Sequence, residues 1–387
     1  MDFTKRPKSR RSGDYKPAVQ EKPKKAAKTD EFEDDDFSPR QKKPPFFTRV
    51  IHAIFPCKGD GAAESIRKIV FDVAVVALVI TGGSVLYDVI TQTVQTNISD
   101  KVIENIYISG SVDLDDAQKQ EILKEKPQIM EQMMGVYEAN KDTVGWIQLG
   151  SGENVIVSLP VMQAADNDYY LTHNFNREEI KSGAVFADYR NVFEPGKLSG
   201  NTILYGHNVW DGSMFAKLTR YYDATIHGDY PDRLGFYRDH PTITFNTLYE
   251  ASEWKVFAAV LFNTREDLGE VYPYTSVMEF GGKDEFNSFI LDVMDRSILW
   301  TDVDLDYGDS ILTLSTCYMY GVYSESTQTR CVVFARKVRP GESSEVDVTK
   351  AQTNPTPLKF TYQYQQEGGE RWTGRTWDTS KLLSYSR

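Results

Sequence analysis

Three side chains that thiol-based acyl transfer requires each lie at one end of a short apolar run in this sequence. Cys317 ends the apolar run 310–316, His207 follows the apolar run 202–205, and Arg330 opens a further apolar run. A thiol becomes a good nucleophile only when a base or a cation lies nearby, and a tetrahedral intermediate needs a donor to hold its oxyanion. The histidine and the arginine could fill these two roles.

Each of these residues also has a structural interpretation. A free cysteine is most often a small buried hydrophobe, and Cys317 could instead form a disulfide with Cys331. Because Arg330 and Cys331 are neighbours in a predicted strand, their side chains point to opposite faces, so an arginine that faces Cys317 turns Cys331 away. His173 competes with His207 for the role of base, and Arg330 could belong to a structural salt bridge.

Short apolar runs separated by Gly, Pro, Asn and Asp dominate the chain from residue 144 onward. This pattern is typical of β-strands, and at least seven strands with few helices between them predict a closed β-barrel. Residues 115–140 predict one or two helices before it, and residues 283–298 a helix inserted ahead of the strand that ends in Cys317. The predicted strands are 155–159, 183–186, 202–205, 242–245, 254–262, 310–314 and 330–338.

The N-terminal part of the chain differs from the rest in charge and hydropathy. Residues 1–68 carry 17 basic against 11 acidic side chains, whereas residues 69–387 carry 27 against 45. The apolar segment that follows Arg67 and Lys68 has about the 20 residues that a helix needs to cross a bilayer. We therefore predict an uncleaved transmembrane signal anchor over residues 69–92, with the N terminus inside and the C terminus outside the cell. A buried core helix is the alternative.

Composition also predicts the segments on either side of the anchor. Residues 1–68 are predicted to form a disordered cytoplasmic arm, because the charged segment 1–46 buries too little apolar surface to offset the entropy of ordering. A short interfacial helix over residues 46–55 is an open alternative for the end of this arm. Residues 93–114 are predicted to be a stalk, residues 115–340 the catalytic domain, and residues 341–387 a C-terminal extension, either a tail or a small β element. No metal or other cofactor is predicted, since closely spaced His and Cys ligands and Gly-rich phosphate loops do not occur.

Together these features resemble the class B sortases, membrane-anchored cysteine transpeptidases of Gram-positive bacteria. The Thr-Leu-x-Thr-Cys pattern is met by residues 313–317, the family's histidine by His207 in Tyr-Gly-His-Asn, and its arginine by Arg330 before Cys-Val-Val. Tyr318 and Met319 depart from the acidic or small polar residue that many relatives carry after the cysteine. Further matches lie at 140–147, 169–175, 186–191 and 211–215.

The resemblance implies a mainly β fold, an eight-stranded sortase-type barrel with N-terminal helices and the inserted helix 283–298. It implies that Cys317 attacks the Thr carbonyl of an Asn-Pro-x-Thr-like C-terminal sorting signal and forms a thioacyl intermediate. His207 would protonate the leaving amine and later deprotonate the acceptor amine, while Arg330 would hold the substrate backbone and the oxyanion. Weaker candidates for the substrate pocket are Asn174, Ser315 and Thr316.

The partners that the resemblance implies are surface proteins with C-terminal sorting signals, an amine of peptidoglycan or its lipid-linked precursor, and the membrane; no nucleic acid is expected. Other functions stay open. A pilin polymerase would use the same three residues with a lysine acceptor, and a cysteine protease would need a third triad residue that the sequence does not show. A membrane-anchored adhesion or scaffold protein would keep the barrel without the reaction.

Overall fold

The computed structural model describes residues 45–150, 152–323 and 328–385, and the chain divides into two compact units, residues 1–80 and 81–387. The disorder predicted for residues 1–44 lies outside the described residues. The α-helices of the described part are α1 (Phe46–Ile54), α2 (Ala62–Ser109), α3 (Asp116–Glu125), α4 (Glu131–Ala139), α5 (Tyr169–Thr172), α6 (Thr219–Tyr222), α7 (Gly235–Asp239), α8 (Lys283–Arg296) and α9 (Thr361–Glu367).

The first unit contains α1 and the beginning of α2, both inside the segment 1–68 that the sequence predicts to be disordered. Lys68 Nζ donates to the backbone carbonyl of His52 at 2.6 Å and to the carboxylate of Asp60 at 2.8 Å, so it ties the two helices together. Residues 46–54 and 62–68 of the predicted arm are thus helical, the first of them in the stretch for which the sequence left a short helix open.

Helix α2 begins before the predicted anchor and continues through most of the predicted stalk. Its stretch Ala62–Tyr87, with a mean hydropathy of 2.4, is long and apolar enough to cross a membrane, as a membrane anchor or a signal sequence would be. Near the other end of α2, Tyr107 stacks on Trp146 at 4.1 Å, and its hydroxyl accepts a hydrogen bond from Asn246. The end of the predicted stalk is thus a helix packed on the second unit.

Eight strands of the second unit close into a barrel in the order β1-β2-β3-β6-β10-β11-β8-β7, which confirms the predicted fold class. Neighbouring strands are antiparallel except for β2 with β3 and β6 with β10. The strands are β1 (Thr143–Leu149), β2 (Val157–Met162), β3 (Val185–Ala187), β4 (Phe193–Glu194), β5 (Lys197–Leu198), β6 (Asn201–Tyr205), β7 (Thr242–Thr247), β8 (Glu253–Asn263), β9 (Leu299–Trp300), β10 (Ile311–Cys317), β11 (Thr329–Lys337) and β12 (Gln352–Thr353).

Alternation along the strands separates the barrel interior from its outer face. The interior is one apolar cluster to which every barrel strand contributes, including Leu312 and Leu314 of β10 and Val333 of β11. On the outer face, Ile311 and the other side of β11 and β8 pack against α8 in a second cluster. Helix α8 occupies most of the predicted segment 283–298 and covers this part of the barrel wall.

The C-terminal extension packs on the barrel rather than forming a free tail. Its short strand β12 pairs with β9, and its helix α9 follows. Glu342, at the start of the extension, accepts hydrogen bonds from Lys255 at 2.6 Å and from the fully buried guanidinium of Arg336 at 2.6 and 2.7 Å. These bonds hold the pKa of Glu342 well below its usual value, so the carboxylate stays charged.

Candidate active site

Cys317 and Arg330 are direct partners at the open end of two barrel strands. Cys317 ends β10, Arg330 is the second residue of β11, and the antiparallel register pairs them. Directly opposed residues present their side chains on the same face, with Cβ atoms about 4.5–5.5 Å apart. Since Leu314 points inward, this face is the outer one. A partly exposed thiol and a guanidinium therefore share one small surface.

The neighbouring cysteine has the opposite environment. Cys331 lies in the interior cluster, and its Sγ reaches the backbone carbonyl of Leu218 at 3.7 Å. Burial raises the pKa of this thiol well above its usual value, so it stays protonated. Cys57, Cys317 and Cys331 are all free, so the disulfide alternative is wrong.

The loop after β6 brings His207 to the same end of the barrel. Strand β6 runs parallel to β10 with Tyr205 paired to Ser315, so His207 and Cys317 each lie two residues beyond this pair. His207 Nε2 lies 2.9 Å from the backbone carbonyl oxygen of Leu171. A carbonyl can only accept a hydrogen bond, so Nε2 carries the proton in this arrangement.

Asn208 connects the His207 loop to the cysteine strand. Its side-chain amide donates to the backbone carbonyl of Cys317 at 2.9 Å, and its oxygen accepts from the Tyr320 hydroxyl at 3.3 Å. The preceding Gly206 has no room for a side chain, because a Cβ there would lie 2.7 Å from the ring of Phe215. The Tyr-Gly-His-Asn motif therefore has a packing reason as well as a chemical one.

A buried hydroxyl pair lies beneath the outer face beside Arg330. Ser315 Oγ and the Tyr274 hydroxyl are 2.8 Å apart, and the Tyr274 ring stacks on Phe262, the register partner of Arg330, at 4.8 Å. Burial raises the pKa of Tyr274. Ser315 thus lies on the same face as Cys317, but its hydroxyl is already engaged.

The other predicted pocket residues are not brought to the thiol by their contacts. The Thr316 side chain points into the barrel, where its hydroxyl is buried and has no hydrogen-bond partner among the described residues. The Asn174 amide exchanges two hydrogen bonds of 2.9 Å with Glu178. His173, the competing base, stacks on Tyr169 at 4.1 Å and bonds its carbonyl through Nδ1. The roles of Thr316 and Asn174 stay predictions.

The segment that follows the cysteine is partly interior. Tyr318 is buried and packs edge-on against Tyr222, Tyr320 and Tyr323 at 5.5 to 5.7 Å between ring centroids. Met319 and Tyr320 instead line a groove of about 290 Å³ beside Trp210, which is 93% exposed. Tyr318, which departs from the family pattern, therefore has a packing role. Met319, which also departs from it, faces the groove.

Sequence reasoning missed two groups that shape this site. The Leu171 carbonyl, which bonds His207, is a backbone atom and leaves no trace in residue type. It lies close to Gly183, whose φ is +55° and where a Cβ would lie 2.7 Å from this oxygen. Asn208 was visible within its motif, and its position directly after the histidine was the signal for its role.

The chain is similar in sequence to known sortases. A family model described as the sortase domain matches residues 157–338. Sortase B of Listeria monocytogenes is 34% identical over 190 residues, 49% of this chain and 68% of the relative. Sortase B of Staphylococcus aureus is 34% identical over 224 residues, 57% of this chain and 82% of the relative.

A solved structure agrees with these sequence matches. The Staphylococcus aureus sortase B-substrate complex is 28% identical and superposes with a TM-score of 0.50 over 64% of this chain and 99% of that chain. Both curated relatives are matched over more than two thirds of their length at 34% identity. The chain therefore belongs to the sortase B family and is a cysteine transpeptidase.

Proposed function

We propose that this transpeptidase uses Cys317 as its nucleophile, His207 as its acid and base, and Arg330 as its oxyanion donor. The observation that carries the proposal is the register pair of Cys317 and Arg330 on the outer face. The parallel register of β6 with β10, which ends at Tyr205 and Ser315, supports the choice of His207 over His173.

In the first half of the reaction, the Cys317 thiol gives its proton to His207, and the resulting thiolate attacks the Thr carbonyl of an Asn-Pro-x-Thr-like sorting signal. The peptide bond after Thr breaks, the leaving amine takes a proton from His207, and Thr becomes a thioester on the sulfur. In the second half, an acceptor amine attacks the thioester and its proton passes to His207. Because Nε2 is bonded to the Leu171 carbonyl, we assign the proton transfers to Nδ1.

Arg330 would stabilise the negative charge that develops on the carbonyl oxygen in both halves. A guanidinium offers several donors in a fixed geometry, and hydrogen bonds to an oxyanion are stronger than those to a neutral carbonyl. Phe262 of β8 is the register partner of Arg330, and the Tyr274 ring stacks on Phe262.

The acyl donor and the acceptor amine are proposed from the chemistry of the reaction and from the sortase B family. The staphylococcal neighbour is a complex with a substrate, and we propose that the donor here is a surface protein with a C-terminal sorting signal. The acceptor we propose is an amine of peptidoglycan or of its lipid-linked precursor. With the apolar stretch of α2 as a single-pass anchor, the second unit would lie outside the cell, where both substrates are found.

The test uses the full-length protein in detergent with an Asn-Pro-Gln-Thr-Asn peptide and either a glycine-based or a lysine-based amine. Mass spectrometry should detect a thioacyl adduct and a transfer product with the glycine amine, and neither in Cys317→Ala. The matched control, Cys331→Ala, should keep both. Transfer to the lysine amine in preference would favour a pilin polymerase, and an active Cys317→Ala would refute the proposed nucleophile.

A further inference from the structure

The C-terminal extension returns to the active-site end of the barrel although it lies beyond the residues 157–338 that the sortase family model matches. Gln363 and Glu367 are four residues apart in α9 and therefore share one face of the helix. Gln363 Nε2 donates to the Tyr222 hydroxyl at 2.9 Å. This face of α9 is thus directed at the tyrosine cluster that packs around Tyr318.

Glu367 is the centre of the contact. Its carboxylate accepts a hydrogen bond from the Tyr323 hydroxyl at 2.9 Å, pairs with Lys359 Nζ at 3.0 Å, and lies 3.4 Å from the Tyr222 hydroxyl. Tyr323 is 2% exposed, whereas the Glu367 side chain is 25% exposed. Burial and the neighbouring carboxylate raise the pKa of Tyr323, so its hydroxyl remains a donor to Glu367.

A short series of contacts leads from Tyr323 back to the cysteine. The Tyr323 ring packs on Tyr318, and its backbone N–H donates to the Tyr320 carbonyl at 3.0 Å, which closes the turn. The Tyr320 hydroxyl bonds Asn208, and Asn208 bonds the carbonyl of Cys317. Tyr323 is therefore linked to Cys317 by two routes, through Tyr318, the next residue in the chain, and through Tyr320 and Asn208.

The contact lies at the edge of the interior cluster, to which Tyr222, Tyr318 and Tyr323 belong. The Glu367 carboxylate itself lines a groove of about 420 Å³ together with Asp223, Arg233, Tyr320 and Lys359. Because this carboxylate faces the groove and not the apolar interior, its removal should loosen the turn formed by residues 318–323 without opening the barrel. Tyr323 would be left with a buried donor that lacks its acceptor, a situation that proteins relieve by shifting the group.

We propose that Glu367 is a positioning residue for the transfer reaction, acting through Tyr323 on the segment that follows Cys317. The inference rests on the proposed role of Cys317 as nucleophile. The extension would thus be a working part of the active site: its carboxylate sets the turn from which Tyr320 bonds Asn208, and Asn208 in turn bonds the carbonyl of Cys317.

The test compares Glu367→Ala, Glu367→Gln, Tyr323→Phe and the Glu367→Ala/Tyr323→Phe double variant in the full-length protein. We expect Glu367→Ala to lower the single-turnover rate of thioacyl formation about ten-fold with little change in KM, as the loss of a charged hydrogen bond predicts. Tyr323→Phe should cause a similar loss, and the double variant should lose no more than either single variant, because both remove the same interaction. The amide of Glu367→Gln still accepts a hydrogen bond and should restore most of the rate.

Two measurements separate positioning from general destabilisation. Iodoacetamide labelling of Cys317 should slow in Glu367→Ala, while Cys331 stays unlabelled and the Tm stays near that of the wild type. Lys350→Ala is the matched control, since it removes another extension ion pair, with Asp302 at 2.8 Å, far along the chain from the tyrosine turn; it should leave the rate unchanged.

Wild-type rate in Glu367→Ala, additive losses in the double variant, or an equal loss in Lys350→Ala would each overturn the positioning role. If the wild type forms a thioester that Cys317→Ala does not form, the proposed nucleophile stands whatever Glu367 does. If Cys317→Ala reacts as fast as the wild type, both proposals fail together.

Discussion

The two faces of the strand pair β10 and β11 differ more than their one-residue separation suggests. On the outer face, Cys317 and Arg330 meet near solvent above the hydroxyls of Ser315 and Tyr274. On the inner face, Cys331 lies among apolar side chains and its thiol is held protonated by burial. Strand alternation alone can therefore make one thiol, Cys317, available for chemistry while it leaves the thiol of Cys331 inert.

The largest effect expected from this comparison is in thiol chemistry. In the native protein, iodoacetamide should modify Cys317 and spare Cys331, because alkylation needs an accessible thiolate and a buried thiol with a raised pKa offers none. Peptide mass spectrometry after digestion would read both sites. In denaturant the two cysteines should react alike. Labelling of Cys331 in the native protein would contradict its burial on the inner face.

The next effect concerns the cation on the outer face. Arg330→Ala should lower kcat/KM for the sorting-signal peptide by about 10²–10³-fold, the usual loss when an oxyanion donor is removed. Arg330→Lys should recover only part of it, since an ammonium does not reproduce the planar fork of donors. Arg265→Ala, which removes a surface arginine paired with Asp267 at 2.5 Å, is the control and should retain full activity. Equal losses of kcat/KM in Arg330→Ala and Arg265→Ala would show that Arg330 has no specific role in the site.

A change on the inner face should affect stability instead of chemistry. Leu314→Ala leaves a cavity in the interior cluster and should lower the free energy of unfolding by about 2–5 kcal/mol. Below its Tm the remaining folded protein should acylate at a rate close to that of the wild type. Urea unfolding gives the first quantity and single-turnover kinetics the second. A large loss of rate with unchanged stability would contradict the division between the two faces.

The smallest expected effect is that of Tyr274→Phe, which removes one member of the buried hydroxyl pair with Ser315. The cost should be about 1 kcal/mol of stability, since one neutral hydrogen bond is lost. Addition of Ser315→Ala should restore part of it, because the unpaired hydroxyl then disappears as well. Thermal unfolding of the single and double variants would measure this, and a double variant less stable than Tyr274→Phe would count against the pairing.

Much of the fold was predictable because it depends on local pattern. Alternation within 330–338 predicted that Arg330 and Cys331 face apart, and the apolar runs predicted seven barrel strands to within a few residues. The same alternation, applied to 312–316, places Thr316 on the inner face with Leu312 and Leu314, away from the face of Cys317.

The rest of the site depends on contacts between distant segments. The Leu171 carbonyl reaches His207 across 36 residues and is a backbone atom, so residue type could not reveal it. Glu367 reaches Tyr323 across 44 residues from a helix of mostly polar composition, which shows no apolar stripe to predict where it docks. Barrel closure brings such groups together, and only three-dimensional structure identifies them.

The ion pairs of Glu342 also have a genetic consequence. A stop codon just after residue 340 would spare every strand of the barrel, yet the shortened product would lack the carboxylate that pairs with Lys255 and Arg336. Arg336 would keep Asp304 at 3.2 Å, so the cost is that of lost charge-assisted hydrogen bonds, about 1.5–3 kcal/mol each, out of the roughly 5–15 kcal/mol by which a domain is stable. Nonsense alleles in this region should therefore yield a less stable protein, even though the whole matched sortase domain is still encoded.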